Sequence, residues 1–194
     1  MSIYYEYFDQ VSEYFEDFAC EQCCYSDDDD CDEKCEEWLT HTFRVFALCS
    51  VFINSIDTNI IRVNKDVLFK ASILHDIAKP LGKKNHHKRE RLRYAIKETN
   101  IDITERQKKA ICAIIEAHKG PFKPPESLLI EAAILRICDK LDKFQKNRKK
   151  AAVKIDKTMN KIEKRFKEYH TDNEWEVFYR VCEQMTWLIL RLSN

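Results

Sequence analysis

The chain has 194 residues, 44% hydrophobic and 34% charged, with thirty-three basic side chains cancelling thirty-three acidic ones. It is apolar enough to form a core rather than a disordered chain, and the balanced charge gives no general reason to expect a nucleic acid or an anionic membrane as partner. No run approaches the roughly eighteen apolar residues of a membrane span, and "MSIYYEYFDQ" lacks the basic-then-apolar order of a signal peptide.

The expected location is therefore the cytoplasm, and the nine cysteines are expected as thiols or metal ligands rather than disulfides. Two glycines and four prolines favour long helices over turn-rich sheet. Phe8, Val11, Phe15 and Phe18 share one face of a first helix. The connector "CEQCCYSDDDDCDEKC", Cys20 to Cys35, follows. Cys20 and Cys24 are one helical turn apart, as are Cys31 and Cys35. A hairpin of helices one and two would let these thiolates hold a structural zinc, with Cys23 as an alternative to Cys24. The acidic run between them fits the other reading, a solvated loop with incidental thiols.

His41, Val45, Leu48 and Phe52 line a second helix, and Leu68, Ala71 and His75 a third that Pro80 and Gly82 close. A basic stretch from Lys83 to Lys97 forms a fourth. Ile111, Ile114 and His118 mark a fifth, ended by Gly120 and Pro121. "KPPES" opens a sixth, with Leu128, Ala132, Leu135 and Asp139 on its inner face. Ile155, Met159, Ile162 and Phe166 align on a seventh, and Trp175, Phe178, Cys182 and Met185 on an eighth. No stretch alternates with a period of two, so the expected fold class is all-α.

His41, His75, His118 and Asp139 are good metal ligands on faces that should point inward. Any single histidine is as readily explained as a hydrogen-bonded core residue. Asp139 is harder to place, because a buried carboxylate needs a cation or a full set of donors. Arg136 and Lys140 are the local alternatives but should point elsewhere round the helix. A metal shared with the histidines satisfies all these residues at once. At a helix end, Asp76 can join His75 on the same ion. Such a mixed nitrogen and oxygen set suits Mn, Fe, Co, Ni or Mg better than a closed zinc site.

The order His41, His75-Asp76, Asp139 resembles the H…HD…D signature of the HD-domain superfamily of metal-dependent phosphohydrolases. "HTFRVFALC", "LHDIAKP" and "ILRICDKLD" are similar to that family's three local contexts. The resemblance covers about residues 38 to 145, leaving 1–37 as an N-terminal helix and Cys/Asp-rich connector and 146–194 as C-terminal helices packing on the core. It implies a helical bundle holding one or two divalent ions and hydrolysing a small phosphorylated substrate, above all a nucleotide. Lys79 matches the lysine that approaches the substrate phosphate in many relatives, and Arg44 is a second candidate for that role. Their structural alternatives are a cation at a helix C-terminus and a surface residue.

A second ion or a phosphate oxygen could be served by His86, His87 or His118, with His87 preferred of the adjacent pair. His118 is also a conceivable proton carrier. The glycine-tyrosine-proline signature of the cyclic-dinucleotide-cleaving branch is missing, which disfavours that activity. The segment Lys140 to Lys150, with Lys143, Lys146, Arg148, Lys149 and Lys150, is either the flank of a polyanion site or a solvated helix face. Alternatives to hydrolysis are a non-catalytic ligand-binding module and a di-iron oxygenase on the same scaffold. A zinc-stapled interaction protein is a further one.

Overall fold

The computed structural model describes residues 2–19, 31–81, 86–99, 101–143 and 148–192. Among the described residues there is no strand, and the fold is all-α. In chain order these residues form α1 (Ser2–Tyr14), α2 (Cys31–Ser55), α3 (Lys65–Leu74), α4 (Arg89–Glu98), α5 (Glu105–Ala117), α6 (Leu129–Asp142), α7 (Arg148–Phe166) and α8 (Asp172–Leu192). No helix among them is long and apolar enough to cross a membrane.

α6 is the axis of the molecule. Leu129 to Asp139, Leu141 and Asp142 are all buried, and a helix hidden on nearly every side belongs at the centre. α2, α3, α5, α7 and α8 pack round it. α3 is also buried almost throughout, over Val67, Leu68 and Lys70 to Leu74, and contacts both α2 and α5. Its first turn is fixed by Asn64, whose side chain accepts the Val67 N–H at 3.2 Å.

α1 covers one flank, with Tyr4 and Phe8 against Phe46 (5.7 and 5.2 Å between centroids) and Tyr4 also against Phe69 at 5.1 Å. On the other flank the rings of Phe52, Phe178 and Phe166 meet in series at 5.3 and 5.4 Å, tying α8 and α7 to α2. Burying each such side chain contributes about 1.5–3 kcal/mol.

Several boundaries differ from the sequence reading: α1 ends at Tyr14, with Phe15–Ala19 in a π-helical turn, and α2 begins at Cys31, inside the segment read as connector. The fourth helix begins at Arg89 rather than Lys83, because residues 86–88 form a turn that buries His86. Leu128 ends a 3₁₀ turn before α6 and is only partly buried, so the inner stripe starts one residue later.

Candidate metal centre

α3 ends at Leu74, leaving His75 as its C-cap. Pro80 bars further helix, and the chain instead turns, with the Ile77 N–H donating to the Leu74 carbonyl and the Lys79 N–H to that of Asp76. This turn brings two sequence neighbours to bear on one point, with His75 Nε2 3.3 Å from Asp76 Oδ2. His41 reaches the same point from α2. Its Nε2 lies 3.1 Å from His75 Nε2, 3.2 Å from Asp76 Oδ2 and 3.4 Å from Asp139 Oδ1 on the last turns of α6.

A second set adjoins the first and shares Asp76. His118 is the C-cap of α5, and His86 Nε2 stands 3.2 Å from Asp76 Oδ1. The donor atoms of His41, His75 and Asp76 lie within 4.8 Å of one another, as do those of Asp76, His86 and His118. His41, His75, His86, His118, Asp76 and Asp139 are all buried.

The ring tautomers follow from the outer partners. A carbonyl can only accept, so His75 donates Nδ1–H to Ser72 (2.7 Å) and His118 donates Nδ1–H to Ile115. Each Nε2 lone pair is thereby turned inward. His41 donates Nδ1–H to Asp142 at 2.6 Å. His118 Nε2 is buried with no hydrogen-bond partner. An orphaned imidazole lone pair beside two buried carboxylates is a donor set that fits a divalent cation.

Burial would push both carboxyls up, yet Asp76 is held well below the usual range by the imidazoles of His75, His41 and His86 around it. Lys140, the His41 hydrogen bond and Lys143 do the same for Asp139 against its burial. Burial lowers His41, but hydrogen bonds to Asp139, Asp142 and Asp76 prevail and raise it to about 10. Burial holds His118 well below the ordinary histidine value, so it stays neutral.

The family model for the HD domain matches residues 38–143, more than half of the 194-residue chain. The chain belongs to the HD-domain family. HD domains form a superfamily of metal-dependent hydrolases, and the matched range contains His41, His75, Asp76 and Asp139. No curated protein and no solved structure matches the chain significantly.

Outside this histidine and aspartate cluster, the other candidate side chains have definite partners. Lys79 Nζ sits 2.5 Å from Asp76 Oδ2 and above the Trp38 ring at 6.0 Å. Arg44 grips Asp142 through Nε at 2.5 Å and Nη2 at 3.2 Å. Both line a cleft of about 330 Å³ over the centre, together with Lys119 and Lys143. Lys140 does reach Asp139, contrary to the expectation from its place on the helix, because its long stem bends back; Lys143 joins it at 2.6 Å. Arg136 turns away and donates to the Ala117 and Gly120 carbonyls, both at 2.8 Å.

His86 rather than His87 enters the HD centre. His87 is part-exposed and faces a separate depression beyond α5. Cys20, Cys23 and Cys24 lie outside the described residues, as does the Cys31 side chain. Cys35 is buried with its thiol 3.6 Å from the Phe15 carbonyl. Of the basic segment after Asp139, only Lys140 and Lys143 have described side chains. Sequence reasoning missed the roles of Asp142 and Lys119. Asp142 was within reach, since it stands three residues after Asp139 on the same helical face.

Proposed function

We propose that this HD domain is a metal-dependent phosphohydrolase acting on a nucleotide or another phosphoester. The observation that carries the reading is the stacking of a cleft bearing Arg44, Lys79, Lys119 and Lys143 directly on the histidine and aspartate cluster. His41, His75, Asp76 and Asp139 would hold a first divalent ion, and Asp76, His86 and His118 a second. The mixed donors suit Mn, Fe, Co, Ni or Mg. Bound there, such an ion supplies Lewis acidity and a water activated for attack on phosphorus.

The chain's own side chains do the rest. Asp142 fixes the His41 ring, so its Nε2 is presented without a search over rotamers. Asp76 offers one oxygen to each donor set, which sets their spacing. Lys79 and Lys143 rest on the carboxylates of Asp76 and Asp139, and their flexible stems allow the ammonium groups to turn to phosphoryl oxygens. Arg44, pinned by Asp142, presents its remaining N–H groups in a fixed plane. These cations would neutralise charge that grows on the phosphoryl group.

The same paired ligands would serve a di-iron oxygenase. The four cations favour phosphoryl transfer, because dioxygen chemistry has no need of them. A non-catalytic module would not require two complete donor sets.

The test is hydrolysis of a phosphoester and nucleotide panel by metal-stripped protein reloaded with manganese, alongside Asp76→Ala. Manganese at a hundred times Kd should stabilise the wild type by about 2.7 kcal/mol, raising Tm by roughly 5–10 °C. Asp76→Ala should show neither turnover nor that rise. A variant that still hydrolysed every substrate of the wild type would refute the proposal.

A further inference from the structure

Although the whole chain is neutral, its basic side chains are unevenly placed. One face of α5 carries Arg106, Lys109, Ala110, Ala113, Glu116 and Ala117 at helical spacing. Two depressions lie along this face. The outer, about 660 Å³, has Arg89, Arg93, Arg106 and Lys109 on its walls against the single carboxylate Asp66. Asp66 is already engaged by Lys70 at 3.2 Å and Gln107 at 2.9 Å. The inner depression, about 530 Å³, has Arg89, Lys119 and Lys123 against Glu116.

These depressions are neighbours. Arg89, Ala113 and Pro125 border both. Lys119 borders the inner one and also the metal cleft, where its Nζ donates to His86 Nε2 at 2.7 Å. From Arg106 to Ala117 the rise of an α-helix gives a track of about 17 Å, and Lys119 lies two residues past its end. Among the described residues no ion pair ties down Arg93, Arg106, Lys109 or Lys123, whereas Arg89 is shared with Glu116 at 2.6 Å.

We infer that this track binds a single-stranded nucleic acid, one part of which lies in the metal cleft. The inference rests on the phosphohydrolase reading and narrows its substrate to a phosphodiester chain. Cations on the walls of adjoining hollows match a backbone with a charge at every nucleotide, and about 17 Å accommodates some five stacked nucleotides at roughly 3.4 Å each. A compact mononucleotide would use only one of the three hollows. Apolar groups between the cations, Val67, Ala110, Ala113 and Leu128 in the outer hollow and three prolines in the inner, offer contact to sugars and bases that inorganic polyphosphate lacks. Hydrolysis of such a strand adds one water across a P–O ester bond. The hydroxyl goes to phosphorus and the proton to the departing oxygen, leaving a phosphate monoester and a new hydroxyl end.

The test is fluorescence anisotropy of the full chain with labelled dT12 and rU12, in chelator, so that binding is read without metal. Affinity for at least one strand should fall with salt with a log–log slope of about −3.5, from five cations outside the metal cleft at about 0.7 each. The exposed double variant R93A/R106A should bind roughly tenfold more weakly, with the slope shallower by about 1.4. Its manganese-dependent hydrolysis of bis-p-nitrophenyl phosphate should equal the wild type's. Binding of both strands no tighter than a mononucleotide, an unaltered double variant, or equal competition by polyphosphate at matched charge would each overturn the inference. Failure of wild type to cleave the small diester would instead count against the phosphohydrolase reading, leaving the anisotropy to decide the track by itself.

Discussion

His41 Nδ1 and Asp142 Oδ2 stand 2.6 Å apart, and this contact between residues a hundred and one positions apart aims the inner edge of the His41 ring. With Nδ1–H committed, Nε2 faces His75 and both buried carboxylates. Asp142→Ala should therefore leave a folded protein whose first ion binds about 10–100-fold more weakly, the usual cost of losing the group that orients a histidine ligand. Calorimetric titration with manganese reads this directly. Unchanged affinity would reduce Asp142 to a partner of Arg44.

His86 and His87 are adjacent in sequence yet belong to different surroundings. His86→Ala should lower metal content from two ions per chain to one, because Asp76 and His118 alone do not complete the second set. His87→Ala should retain both ions, since its ring faces the depression beyond α5. Elemental analysis of the two purified variants separates the outcomes, and a loss of one ion in His87→Ala would reverse the assignment.

Helices and inward faces were legible in the sequence because burial on a rod repeats every three to four residues, as Leu68, Ala71 and His75 show. The His41, His75-Asp76 and Asp139 set was legible for the same reason, with a buried carboxylate as the added clue. That His86 rather than His87 is the buried one was not, because that burial comes from a turn, which has no period to read. Lys140 was misplaced because a helical wheel fixes Cβ directions and not the ends of four-carbon stems. The cationic track was hidden by the balanced total charge; Arg93 and Arg106 are brought together only by the packing of α4 on α5.

Arg136 shows how a buried cation can serve the centre without touching it. It closes the C-terminus of α5 by donating to the Ala117 and Gly120 carbonyls at 2.8 Å, on either side of His118. A cation suits that end of a helix, and Gly120 takes the left-handed turn there with φ 66°. Arg136→Ala removes two hydrogen bonds from a charged donor and should cost about 3 kcal/mol, or roughly 6–12 °C in Tm. Metal content should fall as well, through misplacement of His118. A thermal melt and an elemental analysis on the same sample check both, and a variant as stable as the wild type would show the clasp to be idle.

Glu131 supplies a pH signature remote from the histidine and aspartate cluster. It is buried at the start of α6 and accepts the Asn64 N–H at 2.6 Å, joining α6 to the cap of α3. Burial raises its pKa above the ordinary 4.5, against the lowering effect of the Asn64 and own-backbone hydrogen bonds and of His170. The folded state thus holds this proton more tightly than the unfolded chain does. Its stabilising contribution is complete below pH 4.5 and is lost as pH rises through the raised value. Glu131→Gln keeps the shape and the acceptor for Asn64 but cannot ionise. The Tm of the variant minus that of the wild type should therefore grow as pH is raised from about 4 to 7. The acid-sensitive pairs of the centre are present in both proteins and cancel in that difference. A difference that stays flat across the range would mean that Glu131 ionises as freely in the fold as in the open chain.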